Sequence, residues 1–173
     1  MRGVRTAAFV ALALVLPGAS AARADMPKPW HLSPGAYGPV RIGMTMGQVL
    51  GQLRTPLSID GPHGPGCMGM SDPDLPSIRF IFEHDHLSRI AVVRGQDVAI
   101  SGGLHIGSTE GEVRQKYGRR LIAAGAAEPP PAKTLTFWIP GKRSGIRFDI
   151  DVSGHVAAMI AGAPSIAHGA SCP

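Results

Sequence analysis

His63-Gly-Pro-Gly-Cys67-Met68-Gly-Met70 gathers an imidazole, a thiol and two thioethers in one short stretch, and Met44, Met46, His84 and His86 stand elsewhere in the chain. Soft sulfur ligands combined with imidazole suit copper. The same residues also have plainer uses. Methionines fill irregular gaps in apolar cores, and Glu83-His84-Asp85-His86 has the polar composition of a hairpin turn. No M-x-x-M array and no histidine pair at helical spacing accompanies them. The expectation is therefore no metal centre and no cofactor.

A second cluster, Asp151-Val-Ser153-Gly-His155, contains the residue types of a serine hydrolase. A triad is defined by geometry and roles rather than by adjacency, and Asp-x-Ser-Gly is ordinary turn chemistry between strands. No G-x-S-x-G nucleophile elbow is present. No catalytic residue is expected here. Aromatic residues make up only 5% of the chain, so each large ring stands out, Trp30, Tyr37 and Trp138 among them. Phe137 and Trp138 are neighbours in an apolar run that reads as a strand, where successive side chains point to opposite faces. One of the two leaves the core unless both sheet faces are covered; an exposed aromatic on a sheet is a frequent binding anchor, and a buried Trp is at least as common.

The elements that position these groups begin with an address label. Arg2 and Arg5 precede an apolar run from Ala7 to Leu16, followed by Pro17, Gly18 and the small-x-small site Ala22-Arg23-Ala24. The run is too short to span a bilayer, which takes about 20 residues. Residues 1–24 read as a signal peptide and 25–173 as one exported, soluble and most simply periplasmic domain. The formal net charge of +5 includes Arg2, Arg5 and Arg23, so the mature chain is close to balanced. That balance gives no footprint for nucleic acid. An oxidising compartment favours pairing Cys67 with Cys172. Such a bridge closes a loop of about a hundred residues, worth up to ~4.7 kcal/mol in the chain-entropy picture.

The chain then writes one sentence twice. Arg41-Ile-Gly-Met-Thr-Met-Gly-Gln-Val-Leu-Gly-Gln-Leu-Arg-Thr-Pro-Leu57 aligns without a gap on the stretch from His105 to Leu121. The matches are Ile42/Ile106, Gly43/Gly107, Thr45/Thr109, Gly47/Gly111, Val49/Val113 and Leu57/Leu121. Thr45 and Thr109 each stand three residues before Gln48 or Glu112, the capping-box spacing that starts a helix. Helices are expected over about Met46–Arg54 and Glu110–Tyr117, with Gly118 closing the second. A Gly/Pro-rich loop, Gly61 to Pro76, and a shorter one, Glu128 to Ala132, should follow. Strands separated by turn residues come next: Ser77–Phe82 and Leu87–Val93, then Thr134–Ile139, Gly145–Ile150 and His155–Ile160. Helix followed by strands, rather than strict alternation, argues α+β. The expected architecture is two tandem repeats, about 36–93 and 98–160, each a short helix plus an antiparallel meander. One such unit is marginal alone, and two can share one sheet.

Ile42-Gly-Met-Thr-x-x-Gln-Val, with Pro56 beyond it, resembles the opening of the small lipoprotein of the outer-membrane β-barrel assembly machinery. The tandem arrangement is similar to that of the β-lactamase inhibitor protein. Both families are protein-binding modules, so the resemblance implies a non-enzymatic module that meets a protein partner in the cell envelope through its sheet face and loops. Phe137 and Trp138 are the candidate surface residues. The alternative is a periplasmic protein that handles copper, or hydrolyses a substrate, with its His, Met and Cys groups.

Overall fold

A computed structural model describes residues 30–53, 55–125, 131–141 and 143–172, so the signal peptide expected over 1–24 lies outside the described residues. Three two-residue strands, β1 (Leu32–Ser33), β2 (Ala36–Tyr37) and β3 (Val40–Arg41), make a small antiparallel sheet before the first helix, α1 (Met46–Leu50). Then come β4 (Ser58–Gly64), β5 (Cys67–Ser71), β6 (Ile78–Glu83) and β7 (His86–Val92). The second helix, α2 (Glu110–Tyr117), leads to β8 (Leu121–Gly125), β9 (Lys133–Trp138), β10 (Gly145–Ile150) and β11 (Val156–Gly162). A 3₁₀ helix, Pro164–His168, follows β11. The class is α+β with mostly antiparallel sheet, as helix-then-strand order implies.

The larger sheet has eight strands in the order β4-β5-β6-β7-β11-β10-β9-β8, and every neighbouring pair is antiparallel. Its central seam pairs β7 with β11, with Met159 opposite Val92 and Gly162 opposite Arg89. The strands thus divide between two sheets, where a single sheet was expected.

Three other details depart from the expectation. The segment 61–76 is not simply loop, because β5 and most of β4 fall near or within it. Gly61, Pro62, Gly64 and Gly66 break the hydrophobic alternation that would have shown strands. An edge strand tolerates them, and β4 is an edge whose register with β5 shifts between Ile59 and His63. Leu-Ile-Ala-Ala-Gly of β8 was not legible as a strand, since alanine and leucine favour helix and pairing with β9 overrides that bias. Helix α1 stops at Leu50 instead of reaching Arg54, with the Gln52 and Leu53 N–H groups both folding back to the Val49 carbonyl.

Both helix starts are built from the same contacts. Thr45 and Thr109 each form a complete capping box, with Gln48 and Glu112 respectively. Gly43 and Gly107 take φ of +89° and +90°, a left-handed conformation that favours glycine. Gly43 N–H donates to the Leu87 carbonyl (2.7 Å) and Gly107 N–H to that of Val156 (2.8 Å). Two hairpin turns clasp the helices: Met46 N–H donates to Asp85 O (3.2 Å) and Glu110 N–H to Gly154 O (2.9 Å). The first turn holds His84 and Asp85 at positive φ, the geometry of a tight hairpin.

Strand alternation produces two apolar layers. On one face Phe80, Phe82, Ile146, Phe148, Leu135 and Phe137 join Val49 of α1 and Val113 of α2. Each fully buried side chain of this size contributes roughly 1.5–3 kcal/mol. On the other face Ile81, Ala91 and Ile160 pack against Ile166 of the 3₁₀ helix. The C-terminal segment is therefore a strap across the outer face. Cys67 and Cys172 form a disulfide, Cα–Cα 5.8 Å across a separation of 105 residues, and so tie the strap to β5.

Candidate functional site

The strap leaves one end of the outer face open. There β8, β9 and β10 form the floor of a groove of about 510 Å³, lined by Ile122, Thr134, Thr136, Trp138, Arg147 and Ile166. Strand register explains the floor: Ile122 lies opposite Thr136, and Trp138 opposite Gly145. Gly145 is what lets the indole lie against the sheet. A Cβ at that position would stand 2.7 Å from Trp138 Cε3 and 2.6 Å from the Phe137 carbonyl oxygen. Phe137 and Trp138 are thus separated as their adjacency requires. Phe137 is buried on the helix side, its ring stacked on Tyr117 at 4.6 Å between centroids with the Arg120 guanidinium 4.9 Å away. Trp138 is half-buried on the strap side.

Arg147 joins the groove to the strap. Its Nε donates to Asp149 Oδ1 (2.5 Å), and its Nη1 donates to the carbonyls of Ile166 (3.2 Å) and Ala167. Burial pushes the Asp149 carboxyl up from its ordinary value even with Arg147 beside it. Burial also drives the Tyr117 phenol up to about 12, so it stays protonated under ordinary conditions. The groove offers an aromatic floor, an apolar wall at Ile122 (60% exposed) and two threonine side chains. These groups can bind and orient a ligand.

The other constellations are engaged in structural contacts. Ser153 Oγ touches His155 Nδ1 (3.0 Å) and also Asp151 Oδ1 (2.7 Å). The serine therefore stands between acid and imidazole, whereas a hydrolase needs the imidazole in the middle. With the hydroxyl donating to Asp151, the imidazole has no serine proton to accept and serves as donor. Asp151 Oδ1 also accepts the backbone N–H groups of Ser153 (2.8 Å) and His155 (3.0 Å), which makes this the turn that clasps α2.

Cys67 is engaged in the disulfide, so it presents no thiolate to a metal. Met70 is buried, while Met44, Met46 and Met68 pack against the helix-side core. His63 lies opposite Met68 in the β4–β5 register, while His84 sits in the hairpin turn and His86 opens β7 opposite Glu83. Among the described residues no group of three His, Cys, Asp or Glu side chains is placed to hold a metal ion. A smaller cleft of about 340 Å³ runs past His105, Ser108, Glu112 and Lys116. Its charged groups serve the fold: Glu112 Oε2 accepts the Thr109 N–H (2.6 Å), and Lys116 Nζ donates to the Ser101 carbonyl.

The Trp138 groove was only half legible beforehand. Adjacent aromatics on a strand singled out the pair Phe137 and Trp138 without saying which faces outward, and Ile122, Arg147 and the strap that complete the walls are distant in sequence and carry no local signal. Among the described residues no helix is long and apolar enough to cross a membrane. Comparison of the chain with protein-family models, curated proteins and solved structures finds no match.

Proposed function

We propose that this protein is an exported, non-enzymatic binding module that holds a protein partner of the cell envelope in the groove over Trp138. The observation that carries this reading is the half-buried Trp138 ring on an open sheet face, bordered by an exposed isoleucine. Large aromatics in such settings dominate binding energy. The apparent Ser/His/Asp cluster is absorbed by turn hydrogen bonds, which leaves binding as the better account.

The chain further reads as a duplication, about 36–93 and 98–160, within one domain spanning 25–173. Matching capping boxes, matching glycine dihedrals and matching turn-to-helix hydrogen bonds support that reading. The likeness of Ile42-Gly-Met-Thr-x-x-Gln-Val to the assembly-machinery lipoprotein, and of the tandem plan to the β-lactamase inhibitor protein, points the same way by analogy. A disulfide and a leader-like N-terminus support export.

A photo-crosslinking residue placed at Ile122, in cells that export the protein, tests the groove. A discrete adduct is expected there and not at Val152, which is 88% exposed on the Asp151 turn. Trp138→Ala should weaken capture by about 2 kcal/mol, roughly thirtyfold. Ser153→Ala and His155→Ala should leave it intact. An adduct indifferent to Trp138→Ala, or turnover of any substrate abolished by Ser153→Ala, would overturn the proposal.

A further inference from the structure

The two free edges of the eight-stranded sheet are built differently. β4 carries Asp60 and Pro62, and its register with β5 shifts between Ile59 and His63. Charge, proline and irregular register are the devices that blunt a sheet edge against further pairing. β8 has none of them. Its sequence is Leu-Ile-Ala-Ala-Gly, and its register with β9 runs unbroken from Leu121↔Phe137 to Gly125↔Lys133. Four of its five residues are exposed, and among the described residues no strand pairs with its outer side.

Immediately before this edge stand Arg119 and Arg120, both exposed. Among the described residues neither forms a salt bridge; the Arg120 guanidinium lies over the Phe137 ring. A sheet whose neighbours are all antiparallel extends most naturally by another antiparallel strand. An arriving strand would then run opposite to β8, with its C-terminal end beside Leu121 and the two guanidinium groups. Arginine matches a carboxylate with a two-pronged fork of donors. Along its length, alternate side chains of the arrival would stand next to Ile122 and Ala124, which border the Trp138 groove.

We propose that the partner joins β8 by antiparallel strand addition, as an extended apolar segment whose C-terminal end carries a carboxylate that pairs with Arg119 and Arg120. This rests on the binding reading above and specifies the chemistry of the partner. A second copy of the chain is a poorer fit, since its own β8 brings the same two arginines and no acid within the strand.

The test uses the mature, oxidised protein and short fluorescent peptides of alternating threonine and valine. One has a free C-terminal carboxylate, one is C-terminally amidated, one is amidated but ends in aspartate, and one has a free carboxylate with alternate backbone nitrogens methylated. Anisotropy should show the free-acid peptide binding about tenfold or more tightly than its plain amide. Arg119→Ala/Arg120→Ala should remove that advantage, and N-methylation on the pairing edge should abolish binding. If the aspartate peptide recovers the advantage, an acidic side chain suffices as the carboxylate; if it does not, a chain terminus is required.

Equal affinity of acid and plain amide would overturn the charge pairing, and insensitivity to N-methylation would overturn strand addition. Absence of peptide binding, or light scattering that shows a dimer excluding the peptide, would reject a separate partner strand. An Ile122 crosslink that still depends on Trp138 would in each case leave the groove reading standing while this one falls.

Discussion

Arg89 Nη2 lies 3.8 Å from the Sγ of Cys67, so a fully buried guanidinium sits against the disulfide that ties down the C-terminal strap. The same nitrogen donates to Glu83 Oε1 (2.7 Å), and Nη1 donates to the carbonyls of Gly169 (3.1 Å) and Ser171 (2.7 Å). Burial lowers the pKa of Arg89, and Glu83 opposes that shift. One residue on β7 thereby holds the strap at two carbonyls while bridging to Glu83 on β6 and Cys67 on β5.

Arg89→Met should destabilise the fold by about 3–5 kcal/mol, because it strands a partly buried carboxylate and two carbonyl oxygens together. Urea unfolding measures the loss. Proteolysis confined to the segment 163–172 should accelerate in parallel, since the strap detaches before the sheet opens.

Cys172→Ser removes the covalent tie and leaves the Arg89 contacts in place. The expected loss is about 2–5 kcal/mol, mostly from a less constrained unfolded chain. Mass analysis of native protein after alkylation should show no modified thiol without reductant and two with it. Wild type treated with reductant should match the stability of the variant.

Thr45→Ala and Thr109→Ala each remove one capping hydroxyl, at about 1 kcal/mol apiece. The two boxes cap different helices, so the double variant should lose the sum. Thr45→Ser and Thr109→Ser, which keep the hydroxyl, should stay close to wild type. Denaturation midpoints at constant slope decide this.

Acid should destabilise the protein through three carboxylates. Hydrogen bonds from Lys133 and Arg114 hold Glu110 below its ordinary range, the Thr109 N–H and hydroxyl do so for Glu112, and the His155 N–H and Ser153 hydroxyl do so for Asp151. Each folded pKa is depressed, so its stabilising effect is full above the unfolded carboxylate range and fades as pH falls through the folded value. Asp149 is raised and runs the other way: its contribution is full below the unfolded value and is lost as pH rises through the folded one. Stability should decline below about pH 4. Glu110→Gln/Glu112→Gln/Asp151→Asn should flatten that decline, and Asp149→Asn should steepen it. Urea midpoints between neutral and acidic pH read both effects.

The readable parts of this fold were those specified locally. Thr45/Gln48 and Thr109/Glu112 are helix starts written in four residues, and α2 ends where Gly118 stands. Strands with unbroken apolar alternation, such as Gly145–Ile150, were placed to the residue. β4, β5 and β8 were missed because glycine, proline and alanine carry little strand signal and depend on a neighbour to hold them. The strap across part of the outer face carries no local signal either, because it is held by residues distant in sequence. Arg89 looks like any strand arginine until Glu83, Gly169 and Ser171 converge on it.

The order β4-β5-β6-β7-β11-β10-β9-β8 has a kinetic consequence. Every adjacent pair except β7–β11 joins strands consecutive in the chain, so each flank can zip from its own turns outward. Hairpins form in about 1–10 μs. The seam between Arg89–Val92 and Met159–Gly162 is the one step that must close a long loop before contacts repay it. The folding barrier should therefore concentrate there. Alanine in place of Val92 or Met159 should slow folding, whereas truncating Ile59 on the far edge should chiefly alter unfolding or change neither rate.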